Sequence, residues 1–202
     1  ANQVIKYQQR DGWGNSDMFR LAHPGQYSKL SSGQEAIVQW VLARARTDEK
    51  KAAKLREKIK QDDLMPYIKA FEEVQAEKDV KRVIKLIQEH SLPREAIPTE
   101  HLNNVGVWEA LLEDMGTTAL IRNLAKMTSV GLIKPLSKAS KKAAAQIANA
   151  EILKKDRIHP MSILIAMKQY SSGHGLKGSL SWQPERSIVD ALDDAFYMAF
   201  DA

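Results

Sequence analysis

Val80-Lys81-Arg82-Val83-Ile84-Lys85-Leu86-Ile87 sets apolar residues at positions 80, 83, 84 and 87, with cations between them. That i, i+3, i+4, i+7 spacing makes one apolar stripe on an α-helix, whereas on a strand it would scatter over both faces. The pattern returns at Trp108, Leu111, Leu112 and Met115, and again at Ile163, Ala166, Met167 and Tyr170. Between these stripes lies helix punctuation: Gly12, Pro24–Gly25, Ser31–Ser32 ahead of Gly33-Gln34-Glu35, Pro93, Pro98, Gly116, Gly131, Pro135, and the run Gly173 to Gly178. Roughly ten helices are expected from these starts and stops. Only Leu176–Trp182 hints at extended structure, so the class is all-α, and short connections suit a bundle or a solenoid of stacked helix pairs. No fixed sequence period is visible, so any repeat is structural and degenerate. The densely charged run Asp48 to Gln61 reads as a solvated helix or a flexible connection.

The chain has 202 residues, of which 44% are hydrophobic, enough for one large domain or two small ones. It contains no cysteine, which removes disulfides and thiolate chemistry and fits a reducing compartment, with the cytoplasm as the expected place. No run approaches the roughly 18 apolar residues of a spanning helix, and no secretion-signal pattern opens the chain, so no membrane partner is expected. The first residue is Ala1, already within a helical pattern of Val4, Ile5 and Tyr7, and the expectation is a piece of a longer protein.

The formal net charge of +5 conceals its distribution. Residues 1–117 carry 18 Lys/Arg and 18 Asp/Glu, residues 118–182 carry 11 and 2, and residues 183–202 carry 1 and 5. A cationic block inside an otherwise balanced chain is the footprint of a polyanion, with RNA or DNA the first partner to consider.

Within that block Thr117-Thr118-Ala119-Leu120-Ile121-Arg122-Asn123-Leu124-Ala125-Lys126-Met127-Thr128 combines a buried stripe of Leu120, Leu124 and Met127 with an i, i+4 pair of cations, Arg122 and Lys126, beside Asn123. Such a pair is either an ordinary solvated face or a phosphate clamp. Lys134, Lys138, Lys141, Lys142, Lys154, Lys155, Arg157 and His159 continue the positive run and favour the clamp. Lys6 and Arg10 form a second i, i+4 pair near the end of the first helix. Cations there, and His23 at the end of the next helix, are also explained by the helix macrodipole. Gly173-His174-Gly175-Leu176-Lys177-Gly178 matches G-x-G-x-x-G only formally, because no strand precedes it; a turn able to meet a phosphate is the better reading. His90 and His101 read as helix-end or surface residues. The five histidines show no ligand pair and no catalytic carboxylate beside them, so neither a metal site nor an enzyme is expected.

Taken together, Lys6-Tyr7-Gln8-Gln9-Arg10-Asp11-Gly12-Trp13, the stretch Thr118 to Thr128, Arg157-Ile158-His159-Pro160 and Gly173-His174-Gly175-Leu176 resemble the Ro autoantigen family and its TROVE module, in order and spacing, over essentially the whole chain. The resemblance implies irregular HEAT-like helical repeats, arranged in that family as a ring with a positive central hole. It implies a noncatalytic scaffold that binds small noncoding Y or Y-like RNA on its outer surface and single-stranded ends of misfolded RNA in the hole, in RNA quality control. Lys6, Arg10 and His23 match the positions the family uses for Y RNA. Arg122, Asn123, Lys126, Arg157, His159 and His174 lie in stretches expected to approach the hole. Residues 1–202 would then be a partial TROVE module resembling the second half of the ring, with the remainder of the same protein or an exoribonuclease as further partners. No cofactor is expected in this chain; the family's divalent metal sits in a downstream von Willebrand A-like domain outside it. The similarity fades over Gln26–Gly33 and Asp48–Gln61.

Two other classes compete with this reading. A helical-repeat adaptor would dock an acidic protein on the same basic face. A nucleic-acid-processing enzyme would need catalytic roles for His159 or His174. Tyr7, Trp13 and Tyr27 are the aromatic residues near Lys6 and Arg10, too few for a stacking platform, while Trp108 and Tyr170 read as core.

Overall fold

The breaks read from the sequence fall where helices stop and start. The computed structural model describes residues 2–23, 29–59 and 65–200, with the side chains of Asn2, Gln9 and Arg10 also outside the described set. Twelve α-helices occur among the described residues. None of them is long and apolar enough to cross a membrane. The chain divides into two compact units, Ala1–Pro98 and Thr99–Ala202.

The first unit runs α1 (Asn2–Lys6), a hairpin of β1 (Gln9–Arg10) and β2 (Trp13–Gly14), α2 (Asn15–Ala22), α3 (Ser32–Arg44), α4 (Glu49–Arg56), α5 (Pro66–Ala76), α6 (Val80–His90) and a 3-10 turn at Arg94–Ala96. Ser31 caps α3 in a reciprocal box with Gln34, as the Ser-then-Gln spacing predicts. The charged run from Asp48 forms α4 as far as Arg56, capped by the Asp48 carboxylate accepting from the Lys51 N–H, a mostly exposed helix; Lys60 and Gln61 lie outside the described residues. Helices pack as neighbours in sequence, α3 on α4 and α5 on α6. At the centre the Trp40 and Phe71 rings meet edge to face at 5.7 Å, and the Trp40 indole N–H donates to Glu72 at 2.7 Å. The Arg44 guanidinium lies 5.1 Å from both ring centroids, a cation–π contact that covers the core edge.

The second unit comprises a 3-10 helix (Thr99–Asn103), α7 (Val105–Glu113), α8 (Thr117–Ser129), α9 (Lys138–Ile147), α10 (Ala150–Asp156), α11 (Pro160–Ser172) and α12 (Arg186–Met198). α12 is the hub, packing on α9, α10 and α11, while α8 packs on α9, α10 and α11. Leu120, Leu124 and Met127 of α8 are each at most 1% exposed, the stripe expected from their spacing. Trp108 and Tyr170 are core residues as expected; the Trp108 indole N–H donates to the Leu102 carbonyl at 2.8 Å. Each such side chain contributes about 1.5–3 kcal/mol by leaving water.

Two expectations need correction. Lys6 and Arg10 are not helical neighbours, because α1 ends at Lys6 and Arg10 pairs with Trp13 across the hairpin. Asp11 and Gly12 have φ of 52° and 83°, the two positive angles a type I′ turn requires, so Asp-Gly here is a hairpin signal and not a helix stop. His101 is not at the surface but 4% exposed, within the 3-10 helix that precedes α7. His90, by contrast, is the last residue of α6, as read.

Candidate nucleic-acid interface

The cationic third of the sequence builds one open cleft of about 460 Å³ in the second unit, lined by residues of α8, of α11 and of the turn from α10 to α11. Arg122 stands on the exposed side of α8, opposite the Leu120–Leu124 stripe. Arg157 ends α10 in the left-handed conformation, φ 49° and ψ 51°. Its backbone N–H caps α10 by bonding to the Leu153 and Lys154 carbonyls, which fixes where the side chain leaves the chain. His159 caps α11: its Nδ1 accepts from the Met161 N–H at 3.1 Å. An Nδ1 that accepts carries no proton, so the neutral ring presents Nε2–H as its free donor. The three residues Arg122, Arg157 and His159, far apart in sequence, all line the cleft.

The other expected site residues of this unit are placed elsewhere. Lys126 Nζ donates to Asn103 Oδ1 at 2.7 Å, and Asn123 Nδ2 donates back to the Ala119 carbonyl at 2.8 Å, so neither lines the cleft. The α8 pair is thus divided: Arg122 faces the cleft and Lys126 is engaged with the turn before α7. His174 follows the αL cap Gly173, forms a bridge with Ser181, and donates through Nδ1 to the Ser172 carbonyl at 2.8 Å. The glycine run is a turn between helices with no preceding strand, so the formal dinucleotide match has no structural counterpart. Lys142 is paired with Glu113 at 2.8 Å.

In the first unit Lys6 is exposed, with Nζ 5.7 Å from the Tyr7 ring centroid, and His23 caps α2 in the left-handed conformation with φ 41°. The Arg10 side chain and Tyr27 lie outside the described residues. Trp13, at 60% exposure, stands out beside Arg10 on the hairpin.

Residues that sequence reading did not single out complete the cleft. Thr118, Ser162, Ile165 and Gln169 line it, and Ile165 is 61% exposed on a helix whose Ile163 and Tyr170 are buried. The signal for Ile165 was present: it falls off the 163, 166, 167, 170 stripe, so an apolar residue there has no core to enter.

A TROVE domain model matches residues 1–172. The chain is 35% identical, over 99% of its length, to a Caenorhabditis elegans protein named RNA-binding protein RO60, and 31% identical, over 98%, to a Deinococcus radiodurans protein of the same name. Its fold is similar to the crystal structure of the Deinococcus radiodurans Ro protein with a TM-score of 0.72 at 29% identity over 98% of this chain, in agreement with the all-α helical-repeat class. The chain spans 36% and 34% of the two relatives' lengths and 37% of the solved chain. Sequence, helical architecture and the match over residues 1–172 together make this chain a member of the TROVE domain family of Ro proteins.

Proposed function

We propose that this chain is a noncatalytic RNA-binding scaffold of a Ro ribonucleoprotein, taking Y-like RNA through Lys6, Arg10 and His23 and single-stranded ends of misfolded RNA through the cleft of the second unit. The observation that carries this reading is the convergence of Arg122, Arg157 and His159 on one open cleft within the segment of 11 cations against 2 carboxylates. Guanidinium groups without a carboxylate partner are costly to cluster unless an anion neutralises them, and phosphates fit their bidentate donor geometry. The names of the two relatives agree with RNA as the ligand. The acidic-protein adaptor would use the same cations, but it leaves the concavity between them without a role.

Anisotropy of a labelled hairpin RNA with a single-stranded tail, titrated with the chain over a salt series, tests the proposal. With about four phosphates neutralised, log affinity should fall against log salt with a slope near roughly −3. A salt-insensitive interaction, or no binding of RNA by a chain that binds an acidic protein, would remove RNA as the ligand. The RNA should be recovered intact with or without Mg²⁺, and metal-dependent cleavage lost in His159→Ala would overturn the noncatalytic assignment.

A further inference from the structure

Resting on the RNA-binding reading, we infer that the cleft of the second unit is a socket for one unstacked nucleotide, its base lodged against Ile121 and Ile165 and its phosphates on Arg122 and Arg157.

Size comes first. About 460 Å³ falls within the roughly 300–1,000 Å³ of small-molecule sites, room enough to take in a single nucleotide. The lining comes second. A site for phosphate alone needs only cations, but this cleft has an apolar floor in Ile121, Leu124 and Ile158, all buried, and an exposed apolar wall in Ile165. A base is the part of RNA with an apolar face to place there, and an unpaired one is free to leave its stack.

The polar groups come third. Among the described residues no carboxylate pairs with Arg122 or Arg157, and no hydrogen bond engages the Gln169 side-chain amide. The amide supplies one donor and one acceptor function within the cleft, the complement a Watson–Crick edge requires. His159, locked with Nε2–H as donor, adds a directional contact for a ribose or phosphate oxygen. A duplex would satisfy the two arginines and leave the isoleucine wall and Gln169 unused, so the ligand class is an unpaired nucleotide within a single strand.

The test is an abasic scan. The full chain is titrated with the tailed hairpin and with a series in which each tail nucleotide in turn lacks its base. One abasic position is expected to weaken binding about tenfold, the scale of a lost base contact. That positional sensitivity should disappear in Ile165→Ser and in Gln169→Ala, while both variants keep the parent's salt slope. Ile165 is exposed, so the serine variant leaves the core intact, and its melting temperature checks this. Equal binding of every abasic RNA, with parent binding and salt slope intact, overturns the socket and leaves the RNA-binding reading standing. No binding of any RNA at low salt overturns both.

Discussion

Thr128 Oγ1 and Tyr170 Oη lie 2.9 Å apart and join the C-terminal part of α8 to that of α11, at the end of the cleft. The direction of the bond follows from its neighbours. Thr128 spends its one hydroxyl proton on the Leu124 carbonyl at 2.8 Å, so the Tyr170 O–H donates and Thr128 accepts. Tyr170 Oη in turn accepts from the Glu185 N–H at 3.2 Å, at the start of α12, while its ring stacks on Trp182 with centroids 6.2 Å apart. One buried phenol therefore ties three helices together.

Tyr170→Phe keeps the ring and removes the hydroxyl, leaving the Glu185 N–H without its acceptor. Burying an unsatisfied donor costs about 1–3 kcal/mol, so the urea midpoint should fall accordingly with little change in slope. An unchanged midpoint would mean that water replaces the hydroxyl without loss.

Burial is the main cause that pushes the Tyr170 phenol up, with the Glu185 carboxylate adding to it. Burial, then the charge of Glu95, pushes Tyr67 up to about 12. Above pH 10 the unfolded chain releases phenolic protons that the native state still holds, so the native state binds more protons and stability falls as pH rises. Well below pH 10 both phenols are neutral in both states and contribute no slope. Melts from pH 9 upward should show this loss, and Tyr67→Phe with Tyr170→Phe should flatten it. An equally steep loss in the double variant would assign alkaline unfolding to other groups.

Arg122 and Lys126 are equivalent in sequence and unequal in structure. Lys126 is engaged by Asn103 and Arg122 faces the cleft. Arg122→Ala should therefore lower affinity for single-stranded RNA by roughly tenfold and make the salt slope shallower by about 0.7, the contribution of one phosphate contact to a single strand. Lys126→Ala should change affinity less than threefold. Equal losses would mean that bound RNA pulls Lys126 away from Asn103.

The helix stripes were legible because burial repeats at the helical period: Val83 and Ile87, Trp108 and Leu111, Ile163 and Tyr170 are all buried as their spacing requires. Arg122 and Arg157 were legible as cations and His159 as a polar residue beside them, but not as neighbours in space, since their meeting depends on how α8 and α11 cross, and periodicity within a helix carries no crossing angle. The placement of Lys126 and Asn123 away from the cleft was hidden for a related reason. Their partners, Asn103 and the Ala119 carbonyl, are set by tertiary contact and local backbone, and a charge count does not see either. The hairpin was legible in principle from Asp11-Gly12, but two-residue strands carry too little alternation to compete with the helical pattern around them.

Arg157 permits a substitution that separates binding from folding. At φ 49° its backbone sits in the left-handed region, where a side chain costs about 1–2 kcal/mol and glycine costs nothing. Arg157→Gly relieves that strain, offset in part by the greater freedom glycine has in the unfolded chain, so stability should stay level or rise by up to about 1 kcal/mol. The guanidinium is lost with it, and RNA affinity should drop at least as far as in Arg122→Ala. Thermal melts and anisotropy on one preparation read both quantities. A variant that folds at least as well and binds worse assigns the Arg157 side chain to the ligand, because lost structure is removed as an explanation. A variant that binds as tightly as the parent would show that Arg157 serves only to end α10.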